Sequence, residues 1–433
     1  MFEDGQKEIY QIPDQKPSFN THPAGRAMAS EAIETLRELF PPDLYESLFL
    51  VGGAVRDHLQ DRQFQDLDLV TKLPAQCLLE RGFHLVKGKS TDPIFFTTHS
   101  KFGKIEVCCL AQEKSFVDDL KRRDFRCNAV LMSLNATILD PLGGVEDIRQ
   151  RVLQPCSAGI LVDDPIRFFR ALRFVSQGWR MSADLRDLLS GASIEEELGG
   201  IPVERFTREM CTAMLGDAPC CFFSGMVEFD VGKTFLPELF QMKGIPAGPS
   251  QYHGNDNLLE HSLAALGRMS SLSPDPAARL AALFHDLGKI TTPADQLPRH
   301  IGHDRAGAGL ARLMATRIRL PDRMRRAIVA ACKLHLVGGR WGELRDSSKI
   351  KLAERALKSG IAGFFPHLIA ADRNVMHPLP GWHRFVELVQ MSATDLGMQT
   401  QVLAQMGEHD RDALIMQYRL KMLKRQQPMT TTQ

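Results

Sequence analysis

Long apolar runs are missing from this chain of 433 residues. None reaches the ~18–20 consecutive apolar residues that a membrane-spanning helix needs. The opening stretch, MFEDGQKEIYQIPDQKPSFN, is polar and lacks the apolar core of a secretory signal. No CxxC pair occurs either. The 9 cysteines are scattered, with adjacent pairs at Cys108-Cys109 and Cys220-Cys221. This argues against a disulfide framework or a structural zinc site and for reduced thiols in a cytoplasm. Excess charge is absent as well: 53 Lys and Arg oppose 52 Asp and Glu, a net charge of +1. Charge balance therefore does not announce a nucleic-acid partner, and any RNA site has to be a local basic surface.

The composition is otherwise ordinary for a globular protein, 44% hydrophobic and 24% charged, and the length calls for several domains. Residues 1–28 are polar, carry three prolines and show little periodicity, so a flexible lead-in is expected. An amphipathic helix over 29–40 is stopped by Pro41-Pro42. Short β-like runs follow at 83–86, 94–98, 104–110 and 131–140, with a hairpin turn at 100–103. Mixed with a few helices they give an α+β head over 29–155. From Asp164 onward the pattern is helical: a neck and body over 156–250, a second all-helical domain over 251–375, and a helical tail over 376–433. The tail ends in a basic stretch with Arg419, Lys421, Lys424 and Arg425.

Residues 48–70, LFLVGGAVRDHLQDRQFQDLDLV, carry the first chemical signal. An apolar strand ends in Gly52-Gly53, an amphipathic helix with Arg56 and Asp57 follows, and a second strand carries Asp66 and Asp68. Residues two apart on a strand share a face, so the two carboxylates can converge on a hard cation such as Mg²⁺. Paired glycines let backbone N–H groups approach a triphosphate. Glu106, in KIEVCCL, is the best-placed third carboxylate. Phosphoryl transfer asks mainly for positioning and charge neutralisation, and two metals ~3.5–4 Å apart would supply it.

Residues 118–129, DDLKRRDFRCNA, place a dense basic cluster with Arg123 beside Asp124 and Asn128, between two strand patterns. Residues 163–174, DDPIRFFRALRF, place Asp164 and Pro165 as N-cap and first residue of a helix. Asp164 and Arg167 then share one face of the first turn. A carboxylate accepts from an exocyclic amine and a guanidinium donates to ring nitrogens, so this pair can imitate a Watson–Crick edge. A merely capped amphipathic helix accounts for Asp164 but not for Arg167, Arg170 and Arg173 recurring every third residue.

These motifs, in this order, resemble the DNA polymerase β-like nucleotidyltransferases. GGAVRD followed by DLDLV is most similar to the class that holds the tRNA nucleotidyltransferases (CCA-adding enzymes) and bacterial poly(A) polymerases. The family pattern RRDFTINA is matched by Arg122, Arg123, Asp124, Phe125, Asn128 and Ala129, while Arg126 and Cys127 depart from it. The resemblance implies that Arg123 and Asp124 organise the ribose or triphosphate, and that Asp164 and Arg167 act as a protein template selecting C and A. It implies that Gly52, Gly53, Arg56 and Asp57 shape the triphosphate pocket. Residues 140–148 match DPxGGxxDI. Residues 201–215, with Glu204, Arg205 and Glu209, match the helix expected to buttress the nucleotide site. CTP, ATP and the tRNA 3′ end are the implied partners, with no membrane. One departure is the short stretch 111–117, where relatives carry a longer flexible loop thought to help the switch from C to A. It opens the alternative of a CC-adding enzyme with a separate A-adding partner. A poly(A) polymerase, an HD phosphohydrolase with an RNA-binding head and a non-catalytic RNA-binding protein are further alternatives.

The helical domain carries His261, His285-Asp286, His300, His303, His335 and Asp372. Imidazole and carboxylate are both metal ligands. The order H…HD…D resembles the HD-superfamily phosphohydrolases and the C-terminal domain of some Gram-negative CCA-adding enzymes. That resemblance implies His261, His285, Asp286 and Asp372 as ligands of a divalent transition metal (Ni, Mn, Co or Fe). It implies His303 and His335 for phosphate or a second metal, Lys289 for substrate phosphate, and cyclic phosphodiesterase or phosphatase activity.

Overall fold

The computed structural model describes residues 9–10, 23–86, 92–191, 193–253, 256–399, 403 and 405–425. The chain forms two compact units, Met1–Ile194 and Glu195–Gln433.

In the first unit the strands are β1 (Ile9–Tyr10), β2 (Leu48–Val51), β3 (Leu67–Thr71), β4 (His84–Leu85), β5 (Ile94–His99), β6 (Gly103–Cys109), β7 (Leu131–Ser133) and β8 (Ile138–Leu139). They form one sheet in the order β1-β8-β7-β2-β3-β6-β5-β4. β3 and β6 run parallel. The other neighbours are antiparallel. The expected α+β head is therefore present. β2 is buried throughout, as its unbroken LFLV run demands. Phe49 meets Phe116 edge-on at 4.9 Å.

Three local expectations change. The first helix spans Pro23–Leu39, starting earlier than 29. The 1–28 lead-in contributes β1, which pairs with β8, and the remainder of 1–22 lies outside the described residues. The single strand expected over 131–140 is a hairpin, because the Ser133 hydroxyl accepts from Asn135 N and Thr137 N and turns the chain at Ala136, φ 62°.

The sheet is followed by the helix Arg167–Ser176, which buries Phe168, Phe169, Leu172 and Phe174. A parallel pair, β9 (Val152–Leu153) with β10 (Arg180–Met181), brackets it.

The described part of the second unit is helical. Leu258–Leu272, Pro276–Phe284, Asp322–Gly339, Asp346–Lys358 and Phe365–Arg373 contribute to an alanine-rich core that includes Ala278, Ala281, Ala282, Ala327 and Ala331. Such small residues let helix backbones approach closely. Buried Arg279 donates to the carbonyls of Ser270, Ser273, Met214 and Gly216, satisfying carbonyls at and just beyond the ends of two helices. In the tail, Glu408–Arg425 packs Leu423 into this core. Within the tail's basic stretch, Arg419 points inward and donates to Val389 O at 2.9 Å. Among the described residues, no helix is long and apolar enough to cross a membrane.

One glycine sets a critical approach. A Cβ on Gly288 would lie 2.0 Å from His303 O and 2.5 Å from Gly307 N. Only glycine lets the turn after Asp286 rest on the start of the 303–317 helix. Gly288→Ala should lower stability by more than ~2 kcal/mol through this backbone clash, read as a fall in Tm. An unchanged Tm would show that the helix can move aside freely.

Candidate active site

The first site gathers on the β2–β3–β6 part of the sheet. Val51 of β2 pairs with Asp68 of β3, which sets the Gly52 turn against the Asp68 carboxylate. A Cβ on Gly52, at φ 80°, would lie 3.4 Å from Asp68 Oδ2. Asp68 is also the register partner of Glu106 in the parallel β3–β6 pair, so the two carboxylates share one face. Lys104 Nζ balances Glu106 at 2.7 Å. Asp66 departs from the simple i, i+2 strand picture. It sits one residue before β3 with φ 60°, and its Oδ1 accepts from Lys104 N at 3.0 Å. The left-handed residue turns the chain into the strand, so proximity rather than strand alternation brings Asp66 toward Asp68. Desolvation raises the Asp68 pKa first. The Arg123 guanidinium opposes this, and Glu106 and Asp66 add to it as like charges. A cluster of carboxylates that resists its own charge suits a hard divalent cation.

Behind this face lies a closed polar network. Asp124 is buried and accepts from Phe125 N at 2.8 Å, Asn128 Nδ2 at 3.0 Å and Arg170 Nε at 2.8 Å. Burial alone would raise its pKa, but Arg170 and these donors outweigh burial and hold it at about 2. Asn128 Oδ1 accepts from Arg56 Nη1 at 2.8 Å, and Arg56 grips Asp57 with its Nε and Nη2, each at 2.9 Å. Arg123 is held by Asp119 through Nε and Nη2.

Asp164 caps the turn ahead of the helix as expected, its Oδ1 accepting from Ile166 N at 3.4 Å. Asp164 ends the short helix Ile160–Asp163 with extended backbone, and the next helix begins at Arg167. Pro165 and Ile166 form a turn in which Arg167 N donates to Asp164 O at 3.1 Å. Arg167 donates through Nη1 to Ile160 O at 3.1 Å and through Nη2 to Arg122 O at 2.6 Å. Arg173 stacks its guanidinium 4.4 Å from the Phe174 ring centre.

The second site is a buried box in the helical unit. Ligand atoms of His261, His285, Asp286 and Asp372 lie within 4.8 Å of one another, as do those of Asp286, His303 and His335. His285, His303 and His335 each place Nδ1 on a backbone carbonyl, of Ala282 at 2.8 Å, His300 at 2.5 Å and Ala331 at 3.0 Å. That fixes the tautomer and turns each Nε2 lone pair into the box. Asp286 Oδ1 is buried without a hydrogen bond, although Nε2 of His303 and of His335 lie 3.2 and 3.1 Å away. Nitrogen and oxygen lone pairs aimed at common points fit a metal, with Asp286 between the two groups. Burial would lower the His285 pKa, but Asp286 and Asp372 raise it to about 10. Lys289 is buried and balances Asp286, with Nζ 2.6 Å from Asp286 Oδ2 and 2.7 Å from Ala247 O. His300 bridges Thr292 and Pro246 O, outside the ligand set.

Residues 48–154 match the family described as the poly A polymerase head domain, and residues 258–358 match the HD domain. The multifunctional CCA protein of Alkalilimnicola ehrlichii is 33% identical over 71% of this chain and 78% of its own length. That of Legionella pneumophila is 32% identical over 71% and 79%. The chain belongs to the multifunctional CCA protein family. It is a nucleotidyltransferase with an HD domain, and both families use divalent metals. In fold it is similar to the Thermotoga maritima CCA-adding enzyme complexed with tRNA, with TM-score 0.62, 17% identity and 92% of each chain covered. It is likewise similar to the Bacillus stearothermophilus CCA-adding enzyme in complex with CTP, with TM-score 0.56, 22% identity, and 89% of this chain and 86% of that one covered.

The structure thus brings Gly52, Asp66, Asp68, Glu106 and Arg123 to one face, and links Arg56, Asp57, Asn128, Asp124 and Arg170 behind it. The two departures from the family pattern have local uses: Arg126 pairs bidentately with Asp147, and Cys127 is buried. Lys104, Asp119, Lys114 and Asp92 were not singled out by sequence. A capping box at Ser115–Asp118, legible as S-x-x-D, marks the helix that carries Asp119; Asp92 and Lys104 have no such signal. In the second unit Glu204 pairs with Arg319 and Thr207 bonds Ile318 O, tying the helix Val203–Ala213 to the segment after His303–Arg317.

A pKa depressed from 3.8 to about 2 means that Asp124 contributes stability above its unfolded value, lost as pH falls from about 4 toward 2. Asp124→Asn should cost about 2 kcal/mol at pH 7, and the gap from the parent should close toward pH 2 in urea unfolding. An equal gap at both pH values would show that the charge is not what matters.

Proposed function

We propose that the head adds C and A to the 3′ end of tRNA from CTP and ATP, on Mg²⁺ held by Asp66 and Asp68 with Glu106 beside them. The observation that carries this reading is the register Asp68–Glu106 against the Gly52 turn, together with the relatives' shared name. When bound, Mg²⁺ supplies the charge that favours a 3′-alkoxide and screens the triphosphate. Arg123, seated on Asp119 beside Gly52, is aimed to meet triphosphate oxygens. Arg56 and Asp57 hold the glycine turn's helix to the Asn128–Asp124 network. Arg167 and Asp164 present donor and acceptor to the base edge.

We further propose that the HD box holds a transition metal (Ni, Mn, Co or Fe) through His261, His285, Asp286 and Asp372. His303 and His335 with Asp286 would take a second ion or a substrate phosphate, for phosphohydrolysis at RNA ends. We also propose a division of labour along the chain: lead-in 1–28, head 29–155, neck and body 156–250, HD domain 251–375 and tail 376–433. Nine unpaired cysteines suit a reducing cytoplasm.

Three tRNA transcripts, ending before CCA, after C and after CC, test the head with CTP, ATP or both. Addition of CC and then A is expected. Arrest after CC would make this a CC-adding enzyme, the alternative raised by the short 111–117 stretch. Asp68→Ala should abolish incorporation and leave tRNA binding intact, and normal turnover in that variant would sink the metal assignment. His285→Ala should remove metal-dependent phosphate release and spare nucleotide addition. Phosphate release at the parent rate would take His285 out of the metal set.

A further inference from the structure

Asp92 has its carboxylate almost wholly buried, 4% exposed, between cations from two segments. Lys114 Nζ lies 2.7 and 2.8 Å from its two oxygens, and Arg122 Nη1 donates at 3.1 Å. Lys114 belongs to the 111–117 stretch, and Arg122 closes the helix Phe116–Lys121. The same stretch is tied at two more points. Gln112 Nε2 donates to Lys72 O at 2.7 Å while Lys72 Nζ donates to Gln112 O at 3.1 Å, and Ser115 and Asp118 form the capping box. Both ends of Arg122 are engaged. Its side chain meets Asp92, and its carbonyl accepts from Arg167 Nη2 at 2.6 Å. With Nη1 on Ile160 O, Arg167 is held at two points, and a planar guanidinium held at two points has its plane fixed.

We infer that Asp92 is a positioning residue for nucleotide selection: by clamping Lys114 and Arg122 it fixes the carbonyl on which Arg167 is seated, and so the plane from which Arg167 reads the base. The inference rests on the proposed role of the head in nucleotidyl transfer. A displacement of about 1 Å in a positioning group can cost on the order of 100-fold, and selection is read as a ratio of kcat/KM values. Asp92→Asn keeps the shape and removes the charge that holds both cations. Lys114→Met releases only the 111–117 stretch.

The test measures kcat/KM for CTP and for UTP on a tRNA transcript ending before CCA, with the full chain and Mg²⁺. The CTP-to-UTP ratio should fall at least about tenfold in Asp92→Asn and by less in Lys114→Met. Adding Asp92→Asn to Arg167→Ala should cause no further loss of ratio, because the route runs through Arg167. A merely structural Asp92 would lower kcat for both nucleotides equally. An unchanged ratio in folded Asp92→Asn, or additive losses in the double variant, overturns the inference. If Asp92→Asn fails to fold, an unchanged ratio in Lys114→Met overturns it. No CMP incorporation by the parent chain would overturn the head's assignment and this inference with it, whereas active Asp92→Asn with the parent ratio overturns the clamp alone.

Discussion

A buried carboxylate must be matched by donors or it will not ionise, and Asp124 is the head's clearest case. Its partners come from separate stretches: Phe125 N and Asn128 from its own motif, Arg170 from the helix that follows the sheet. Asn128, having given its amide to Asp124, turns its oxygen to Arg56, whose other edge is closed by Asp57. One charge thereby orders the glycine-turn helix, the 124–128 segment and the 167–176 helix. Buried ion pairs add little net stability but strongly penalise any arrangement that leaves one partner unpaired. Asp124 thus specifies the geometry of the segments around the glycine turn.

The two carboxylate-bearing sites solve different problems. In the head, the Asp68 and Glu106 carboxylates project from two parallel strands onto one face, and Lys104 balances Glu106. Oxygen donors alone, open to solvent, suit a hard and exchangeable ion. In the helical unit, the proposed ligands come from separate helices, and three imidazoles are oriented by backbone carbonyls. Nitrogen-rich, pre-oriented donors suit a softer ion that stays. Gly288 makes that box possible by letting two backbones touch.

Strong local patterns were legible in the sequence. The LFLV run, the Gly-Gly turn, the DxD pair and the β5–β6 hairpin needed only period and turn chemistry. The grouping of the HD histidines and aspartates was legible because their order recurs in a known family. Long-range register was not: nothing in KIEVCCL says that Glu106 pairs with Asp68 and not with a neighbour. Asp66 was misplaced on the strand because a left-handed aspartate leaves no periodic mark. The Asp164 cap and Pro165 mark the approach to the helix, whose regular part starts two residues on at Arg167. Asp92 and Lys114 carry no motif, and their meaning comes only from burial and from the partner each finds far along the chain.

The arginines show why contacts, and not spacing, assign roles. Arg170 gives its Nε to a buried carboxylate, and Asp124 needs that charge to stay ionised. Arg123 is held on one edge by Asp119, which leaves its Nη1 toward the Gly52 turn and Asp68. Arg167 rests chiefly on two carbonyls, with Asp163 no closer than 3.7 Å. A guanidinium held by neutral acceptors keeps nearly its full charge and its remaining donors, whereas one held by a carboxylate has much of that charge cancelled. Spacing every third residue made Arg167, Arg170 and Arg173 look equivalent. Their acceptors separate them, and Arg167 is the one whose surroundings leave it suited to reading a base.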